Sequence, residues 1–321
     1  MCTDSRYCVI GTLLSGSGAL PSLHPDDERD SPRSTPCRNF FELRASPFCL
    51  PSPVPISDRR PEGTRGRREP PPFRPVVVRE VAPLSPRMRR VTLAGPALEG
   101  LTVEEPAASV RLLLPADDGG LVIPRWNGNE FLLPDGRRPP IRTFTPRRSD
   151  PETRELDLHI VVHGRGAASQ WADAVGPGDP AAVSGPGRGY TVAPDAPAFL
   201  LAGDETAIPA ISQLLEVLPA QTPVQVLIEA AAPDARLGLP DHPGASVEWC
   251  DLPLGAPPGT ALVDAVVSAE LVPGTKVWVA GEAAAVQRIR RHLFQGLGLP
   301  RTQASVRGYW KYGRTGGGDD D

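Results

Sequence analysis

The spacing of the hydrophobic positions changes twice along this chain, after residue 71 and again after Pro197. Residues 1–71 keep no sustained period of 2 or 3.6. From Phe73 onward, short runs rich in valine and leucine are separated by Pro and Gly, and in Glu155–His163 apolar residues at 156, 158, 160 and 162 alternate with mainly polar ones. Such alternation predicts antiparallel strands with one buried face.

Five runs in the first part of the chain have this strand pattern. They are Pro75–Val81, Arg89–Ala94, Ser109–Leu114, Glu155–His163 and Ala181–Ser184, with one brief helix at Ala167–Val175. Short strands at this density predict a small closed antiparallel β-barrel over residues 72–197.

Beyond Pro197 buried strands alternate with amphipathic helices. The predicted elements are strand Ala198–Ala202, helix Thr206–Leu218, strands Val224–Ala230 and Ser246–Trp249, helix Ala261–Ala269, strand Lys276–Ala280 and a helix from Glu282 to Leu297. This order predicts a parallel sheet covered on both faces, over residues 198–315. The fold class is therefore a β-barrel followed by an α/β domain.

Composition supports this reading. The chain has 321 residues with 40 Pro and 32 Gly, a share that excludes a helical bundle. The formal net charge of −4 gives no reason to expect nucleic acid as a partner. No apolar run approaches 18 residues, so we expect no membrane insertion.

The first 71 residues carry 10 Arg and 9 acidic residues and have the composition of a disordered extension. The apolar stretch Tyr7–Leu14 is short and follows Asp4, which disfavours a secretory signal and favours a dispensable extension. Residues 316–321 are predicted to be a flexible acidic tail. Four of the five cysteines lie in the first 50 residues, so the main body has no disulfide framework and we expect a reducing, cytoplasmic setting.

The first candidate site is Arg142-Thr143-Phe144-Thr145 on an extended segment. An arginine, an aromatic ring and hydroxyls on one strand can bind a phosphate, stack on a flat ring and hydrogen-bond to it. A basic edge strand is the alternative explanation.

The second candidate is the turn His163-Gly164-Arg165-Gly166-Ala167-Ala168-Ser169, which leaves a strand and enters a helix. Free backbone N–H groups at a helix N-terminus bind anions. Together with the arginine motif it predicts that both segments face one pyrophosphate, and an ordinary strand-to-helix turn is the alternative explanation. We assign His159 and His163 to the same cofactor site, although histidines on a strand are commonly structural.

Two further candidates lie where strands of the α/β domain end, which is where open α/β sheets bind nucleotides. One is Gly203-Asp204-Glu205-Thr206-Ala207, and the other is Gly281-Glu282. Neither is a G-x-G-x-x-G fingerprint, and the three polar residues of the first can equally cap its helix.

The segment Gly308–Arg314 mixes aromatic residues with cations. Arg307, Lys311 and Arg314 are predicted to bind an anionic substrate, and Trp310 a flat cofactor, unless this is a terminal strand that packs its Trp in the core. In an extended segment Arg307, Tyr309 and Lys311 would share one side. The chain has no metal-ligand set, G-x-S-x-G elbow, P-loop or H-E-x-x-H, so hydrolase and kinase functions lack their chemistry and no protein residue is predicted to be catalytic.

Five segments, taken in chain order, resemble the siderophore-interacting protein family. They are the Arg142–Thr145 motif, Gly166–Ser169 with Trp171, the Gly-Asp-Glu-Thr-Ala-Ile-Pro-Ala run from Gly203, the Ala-Gly-Glu-Ala run from Ala280, and Gly308-Tyr309-Trp310. The resemblance covers residues 72–315. It implies a ferredoxin-reductase-like flavoprotein with an FAD-binding barrel and an α/β domain that admits NAD(P)H.

Carried over by motif, the resemblance implies that Arg142 pairs with the FAD pyrophosphate and that Phe144 and Thr145 flank the isoalloxazine. Gly166, Ala168 and Ser169 would offer helix N-terminal groups to the same pyrophosphate, and Gly203, Asp204, Glu205 and Thr206 would line the nicotinamide crevice. From their position at the same strand ends we also assign Ala207, Gly281 and Glu282 to cofactor binding. The family usually has tyrosine where this chain has Phe144, so stacking is retained while a hydroxyl hydrogen bond is lost.

The function implied is reduction of a ferric siderophore with electrons from NAD(P)H through FAD, in the cytoplasm and by a monomer. A flavoprotein reductase with another acceptor, such as a ferredoxin or a quinone, and a siderophore-binding protein without turnover remain alternatives.

Overall fold

The computed structural model of the chain describes residues 69–116 and 119–313, which form two main sheets. The extension predicted to be disordered lies outside the described residues except for its last three, and so does the predicted tail at 316–321.

The first sheet has seven strands in the order β6-β3-β9-β1-β2-β8-β7, and all its neighbours are antiparallel. The strands are β1 (Arg74–Ser85), β2 (Met88–Ala94), β3 (Val110–Leu113), β6 (Ile141–Phe144), β7 (Pro146–Asp150), β8 (Glu155–Val161) and β9 (Pro180–Ser184). A separate hairpin consists of β4 (Arg125–Trp126) and β5 (Phe131–Leu132), and helix α1 (Ala167–Ala174) connects β8 to β9.

This sheet has to curl, because its two edge strands β6 and β7 are joined by the single residue Thr145. Within the described ranges the two edges are not paired with each other. The predicted barrel is therefore confirmed as a curled antiparallel sheet, and the expectation of full closure is wrong. Its interior is an apolar cluster built around Leu93, Leu112, Leu156 and Leu158.

The second sheet has five parallel strands in the order β12-β11-β10-β13-β14. They are β10 (Phe199–Asp204), β11 (Val224–Ala230), β12 (Ala245–Asp251), β13 (Lys276–Glu282) and β14 (Ala304–Trp310). The helices are α2 (Ile208–Val217), α3 (Thr260–Ser268) and α4 (Ala283–Arg291). The strand order reverses between β10 and β13, so the crevice at their carboxyl ends is the switch point where such sheets bind ligands.

Apolar packing covers both faces of this parallel sheet, as the sequence predicts. Helix α2 packs through Ile211 and Leu214 in a cluster that also contains Met88 of the first sheet, while α3 and α4 pack on the other face through Leu262 and Ile289. Helix α2 therefore connects the two sheets.

Several elements differ from the sequence expectations, among them the hairpin β4–β5, which was not predicted. Helix α2 begins at Ile208 because residues 205–207 form a 3-10 turn, and α4 ends at Arg291 and continues as a π-helical turn over His292–Gly296. Strand β7 was not predicted, since Pro-Arg-Arg-Ser-Asp has no apolar alternation. Over the described part of the chain, no helix has the length and apolarity to cross a membrane.

Candidate functional site

Arg142 lies half-buried on the edge strand β6. Its Nη1 donates to the carbonyl oxygen of Ile141 at 2.7 Å, and no carboxylate of the described residues forms an ion pair with it. Burial lowers the pKa of the guanidinium, although the group remains charged. A partly desolvated cation with most of its N–H donors free suits a phosphate group.

Phe144 brings this strand and helix α1 together. Its ring packs against the interior cluster of the curled sheet, and Ala167, Ala168 and Trp171 of α1 pack against the same cluster. Thr143 between the two motif residues is exposed. The arginine strand and the helix start therefore share one packing unit, as their predicted common role requires.

The N-terminus of α1 is open. Gly166 is its N-cap, with φ of 75°, and no side chain in the described part of the chain caps its first turn. The Ser169 hydroxyl oxygen accepts from the backbone N–H groups of His163 at 2.8 Å and Gly164 at 3.1 Å, which holds the turn in place. Its own O–H remains a donor. Backbone N–H groups without a side-chain cap at a helix N-terminus can bind an anion.

The two histidines occupy different surroundings. His163 is exposed at the turn, and burial followed by the nearby Arg87 lowers its pKa. His159 lies on the face of β8 opposite to the buried Leu158 and Ile160, and its Nδ1 has no partner among the described residues. Mainly through burial, the pKa of His159 falls to about 4, so the ring is neutral at pH 7. The structure does not bring His159 to the face that holds Phe144.

Gly203 and Gly281 lie at the switch point, at the ends of β10 and β13. A Cβ at Gly203 would collide with Ala207 and lie 2.8 Å from the carbonyl oxygen of Ala280. A Cβ at Gly281 would lie 2.7 Å from Oδ2 of Asp204. Both glycines therefore permit a close approach of backbone groups at the crevice.

Asp204 is buried and accepts four hydrogen bonds from protein donors. Oδ1 accepts from the backbone N–H of Thr206 at 2.9 Å and its hydroxyl at 2.5 Å. Oδ2 accepts from the N–H of Glu282 at 2.9 Å and from Nε1 of Trp310 at 2.7 Å. Burial raises the pKa of Asp204 to about 6. This carboxylate ties together the ends of β10, β13 and β14.

Glu205 and Glu282 are also buried and fully engaged. Glu205 pairs with Nε of Arg87 at 3.0 Å and accepts from the N–H of Ala231 at 2.7 Å, which links the β1–β2 turn to the parallel sheet. Glu282 caps α4 by accepting from Ala285 N–H at 2.9 Å and accepts from Tyr312 N–H at 3.1 Å. These acidic residues at the crevice position its backbone.

Strand β14 carries the predicted substrate cations. Arg307 donates to the carbonyl oxygens of Arg188 at 3.3 Å and Gly189 at 2.8 Å, so it holds the segment between the two sheets. Lys311 is exposed just after the strand, and Arg314 lies outside the described residues. Trp310 contacts Asp204, as described above, and is half-buried.

Two residues of the site were not predicted from the sequence. Tyr309 contacts the buried Thr145 through their hydroxyl oxygens, 3.3 Å apart, and its ring meets Trp278 edge-on. Alternation along residues 307–311 predicts that Tyr309 shares a side with Arg307 and Lys311, but it does not indicate the partner Thr145. Nothing in the sequence around Arg87 indicates its role, because its partner Glu205 is 118 residues away.

The sequence matches two family descriptions that together span both sheets. Residues 77–190 match the siderophore-interacting FAD-binding domain, and residues 196–313 match the siderophore-interacting protein description. The chain belongs to the siderophore-interacting protein family. The resemblance found in the motifs is thereby confirmed.

Known proteins that are similar to this siderophore-interacting protein support the family assignment. An NADPH-dependent ferric-chelate reductase of Escherichia coli is 30% identical over 244 residues, covering 74% of this chain and 92% of the relative. The crystal structure of a siderophore utilization protein from T. fusca aligns with a TM-score of 0.68 at 35% identity, covering 77% of this chain and 96% of the other. A ferredoxin reductase of carbazole 1,9a-dioxygenase, at 16% identity, has a TM-score of 0.56 over 76% of this chain and 71% of its own, and shares the fold.

The residues of this siderophore-interacting protein fit FAD. The matched FAD-binding domain contains Arg142 with its free donors, the open N-terminus of α1 and the exposed Thr143. A cation and uncapped backbone N–H groups, carried by a strand and a helix that pack on the same apolar cluster, suit the charge and the acceptors of a pyrophosphate.

Proposed function

We propose that this protein reduces ferric siderophores with electrons from NAD(P)H through bound FAD and releases iron as Fe(II) in the cytoplasm. The observation that carries the proposal is Arg142, half-buried without a carboxylate partner in the described chain, in the same packing unit as the open N-terminus of α1. The NADPH-dependent ferric-chelate reductase among the relatives supports NADPH as the donor to test first.

The electron count requires a flavin between donor and acceptor. NAD(P)H gives a hydride, which carries two electrons, while each ferric ion accepts one. FAD supplies this conversion because it takes electrons as a pair and passes them on singly. One NAD(P)H therefore reduces two ferric ions and yields NAD(P)⁺ and a proton.

The side chains of this protein bind and orient. Arg142 and the first turn of α1 hold the pyrophosphate, with the Ser169 hydroxyl oriented by the His163–Gly164 backbone. Phe144 offers a ring face for stacking. Gly203 and Gly281 allow Ala207 and the Asp204 carboxylate to pack closely at the ends of β10 and β13, and the nicotinamide would bind in the crevice beside these strand ends.

The iron substrate sets the remaining requirement. A siderophore holds ferric iron through hard oxygen donors, and added electrons weaken that preference so that iron can leave. Lys311, exposed after β14, and Arg314 supply positive charge for an anionic ferric chelate. No protein acid or base is required for the electron transfer.

A spectroscopic titration tests the proposal. Purified protein is recorded in the visible range, then under anaerobic conditions after NADPH, and finally after a ferric catecholate or hydroxamate chelate. We expect flavin bands that bleach with NADPH and return as the chelate is reduced. Bleaching without reoxidation by the chelate favours another acceptor, and a protein that binds the chelate but takes up no flavin favours a binding function. Either result contradicts the proposed reaction.

A further inference from the structure

Gln213 of α2 makes two hydrogen bonds across the contact between the two sheets. Its Nε2 donates to the carbonyl oxygen of Pro146 at 2.7 Å, and its Oε1 accepts from the backbone N–H of Ala107 at 2.9 Å. The side chain is half-buried. Because one end of an amide donates and the other accepts, these two partners fix the orientation of the group.

Both partners of Gln213 lie at sensitive places. Pro146 directly follows Thr145, the single residue that joins β6 to β7 and contacts Tyr309. Ala107 is buried and has φ of 55°, a left-handed conformation that non-glycine residues rarely adopt and that needs support from its surroundings. Gln213 therefore supports a strained loop and fixes the end of the Arg142–Thr145 strand.

Helix α2 also begins at the crevice. The Gly203–Thr206 segment leads directly into it through the 3-10 turn, so Gln213 lies on the same rigid helix that starts at the proposed nicotinamide site. A helix that is anchored to both the crevice and the Thr145–Pro146 junction sets the distance between them.

We infer that Gln213 is a positioning residue, which fixes the Arg142–Thr145 strand relative to the carboxyl edge of the parallel sheet. The inference rests on the proposed function, because hydride transfer needs its reacting atoms about 3–3.5 Å apart. Gln213 touches neither ligand in this scheme and acts through the backbone groups that it holds.

The test compares Gln213→Leu with Glu216→Gln. Glu216 is the matched control, since it lies three residues later on α2 and pairs with Arg147 of β7 across the same contact, but at the exposed rim. The rate of flavin reduction is measured by stopped flow at saturating NADPH. We expect Gln213→Leu to slow reduction by about tenfold or more, because small misplacements strongly affect transfer rates. Glu216→Gln should change it less than about twofold.

A third variant, Gln213→Glu, gives a pH signature. Its carboxylate can accept from Ala107 N–H but cannot donate to the Pro146 carbonyl oxygen, whereas the protonated acid can do both. Its reduction rate relative to the unmodified protein should therefore rise as the pH falls through the carboxyl pKa. This variant carries the test if Gln213→Leu fails to fold.

Two readouts do not depend on turnover. The midpoint potential and the visible circular dichroism of bound FAD should shift in Gln213→Leu and not in Glu216→Gln. Hydrogen exchange at the Ala107 amide should be faster in the FAD-free Gln213→Leu protein.

Equal reduction rates and unchanged flavin spectra in Gln213→Leu and the unmodified protein would overturn the positioning role alone. An unmodified protein whose flavin is not bleached by NADPH or NADH would overturn the proposed function and this role with it.

Discussion

The Arg142 strand and the carboxyl edge of the parallel sheet use their polar groups in opposite ways. At the first, Arg142 and the α1 N-terminus keep donors without protein acceptors among the described residues. At the second, the carboxylates of Asp204, Glu205 and Glu282 are buried and engaged by protein donors. Free donors at a partly desolvated position indicate a ligand site, while saturated carboxylates indicate a framework, since a buried charge is tolerated only when it is hydrogen-bonded.

The same contrast divides the residues of one predicted cofactor site into groups with free donors and groups that hold the protein structure together. The sequence assigned both groups to cofactor binding: Arg142 because it lies with an aromatic ring and hydroxyls on one strand, and the acidic residues because they follow strands and precede helices. The structure separates their chemistry: the first keeps donors without protein acceptors among the described residues, and the second holds the ends of β10, β13 and β14 together. Substitutions in the two regions should therefore change different observables.

The largest expected effect is that of Asp204→Ala. It leaves the N–H of Glu282 and Nε1 of Trp310 without their acceptor in a buried position, so the free energy of unfolding should fall by about 3 kcal/mol or more. Urea denaturation of the flavin-free protein measures this. Asp204→Asn keeps one acceptor oxygen and should lose less. An Asp204→Ala protein that is as stable as the unmodified one would contradict the framework role.

Arg142→Ala should show the converse behaviour. Loss of a charge-assisted hydrogen bond to phosphate removes about 1.5–3 kcal/mol of binding free energy, which weakens FAD affinity at least about tenfold. The stability of the flavin-free protein should change by no more than about 1 kcal/mol. Arg148→Ala, an exposed arginine on β7 paired with Asp150, is the control and should bind FAD normally. Unchanged FAD affinity in Arg142→Ala would remove the residue from the site.

The pH dependence of the free energy of unfolding tests the framework role of Asp204. The pKa of Asp204 is raised from 3.8 to about 6, so between these values the folded chain holds a proton that the unfolded chain releases. Its contribution to stability is fully present below about pH 4 and falls as the pH rises to about 6, by an amount on the order of 2 kcal/mol.

Thermal unfolding of the unmodified protein and Asp204→Asn between pH 4 and 7 isolates this effect. His159, whose pKa of about 4 acts in the opposite direction, is common to both proteins and cancels in their difference. A difference that is independent of pH over this range would show that Asp204 has an ordinary pKa.

The smallest expected effect concerns the substrate. Lys311→Ala should raise the apparent KM for an anionic ferric siderophore about two- to fivefold at low ionic strength, where screening is weakest, and leave flavin reduction by NADPH unchanged. Lys276→Ala is the control, because Lys276 begins β13 at the opposite edge of the same sheet. Steady-state kinetics with an anionic and an uncharged chelate would show whether charge is the cause, and an unaltered KM would place Lys311 outside the substrate site.

Both sheets could be predicted because their signals are local. Alternation in Glu155–His163 and the buried run before Gly203 each lie within one element, and both appear as strands at those places. Strand β7 could not be predicted, since its polar residues form a strand only because β8 pairs with them. The expectation of a closed barrel was wrong as well, because no local pattern shows whether the edge strands β6 and β7 pair with each other.

The candidate site divides along the same line. The motifs Arg142–Thr145, Gly166–Ser169 and Gly203–Ala207 were recognisable because turn and helix-start chemistry depends on neighbouring residues. The roles of Asp204, Glu205 and Arg307 were not, because their partners at Trp310, Arg87 and Gly189 are more than 100 residues distant.

The sequence by itself determined the order of a curled antiparallel sheet and a parallel sheet, the family and the position of each glycine-rich turn, because periodicity and turn chemistry act over a few residues. Only the tertiary structure decided which polar groups are free for a ligand and which are occupied. Whether a polar group is free or hydrogen-bonded depends on which donors and acceptors come into contact after folding. Asp204 is saturated because three strand ends converge on it, while Arg142 keeps its donors because no carboxylate of the described chain reaches it.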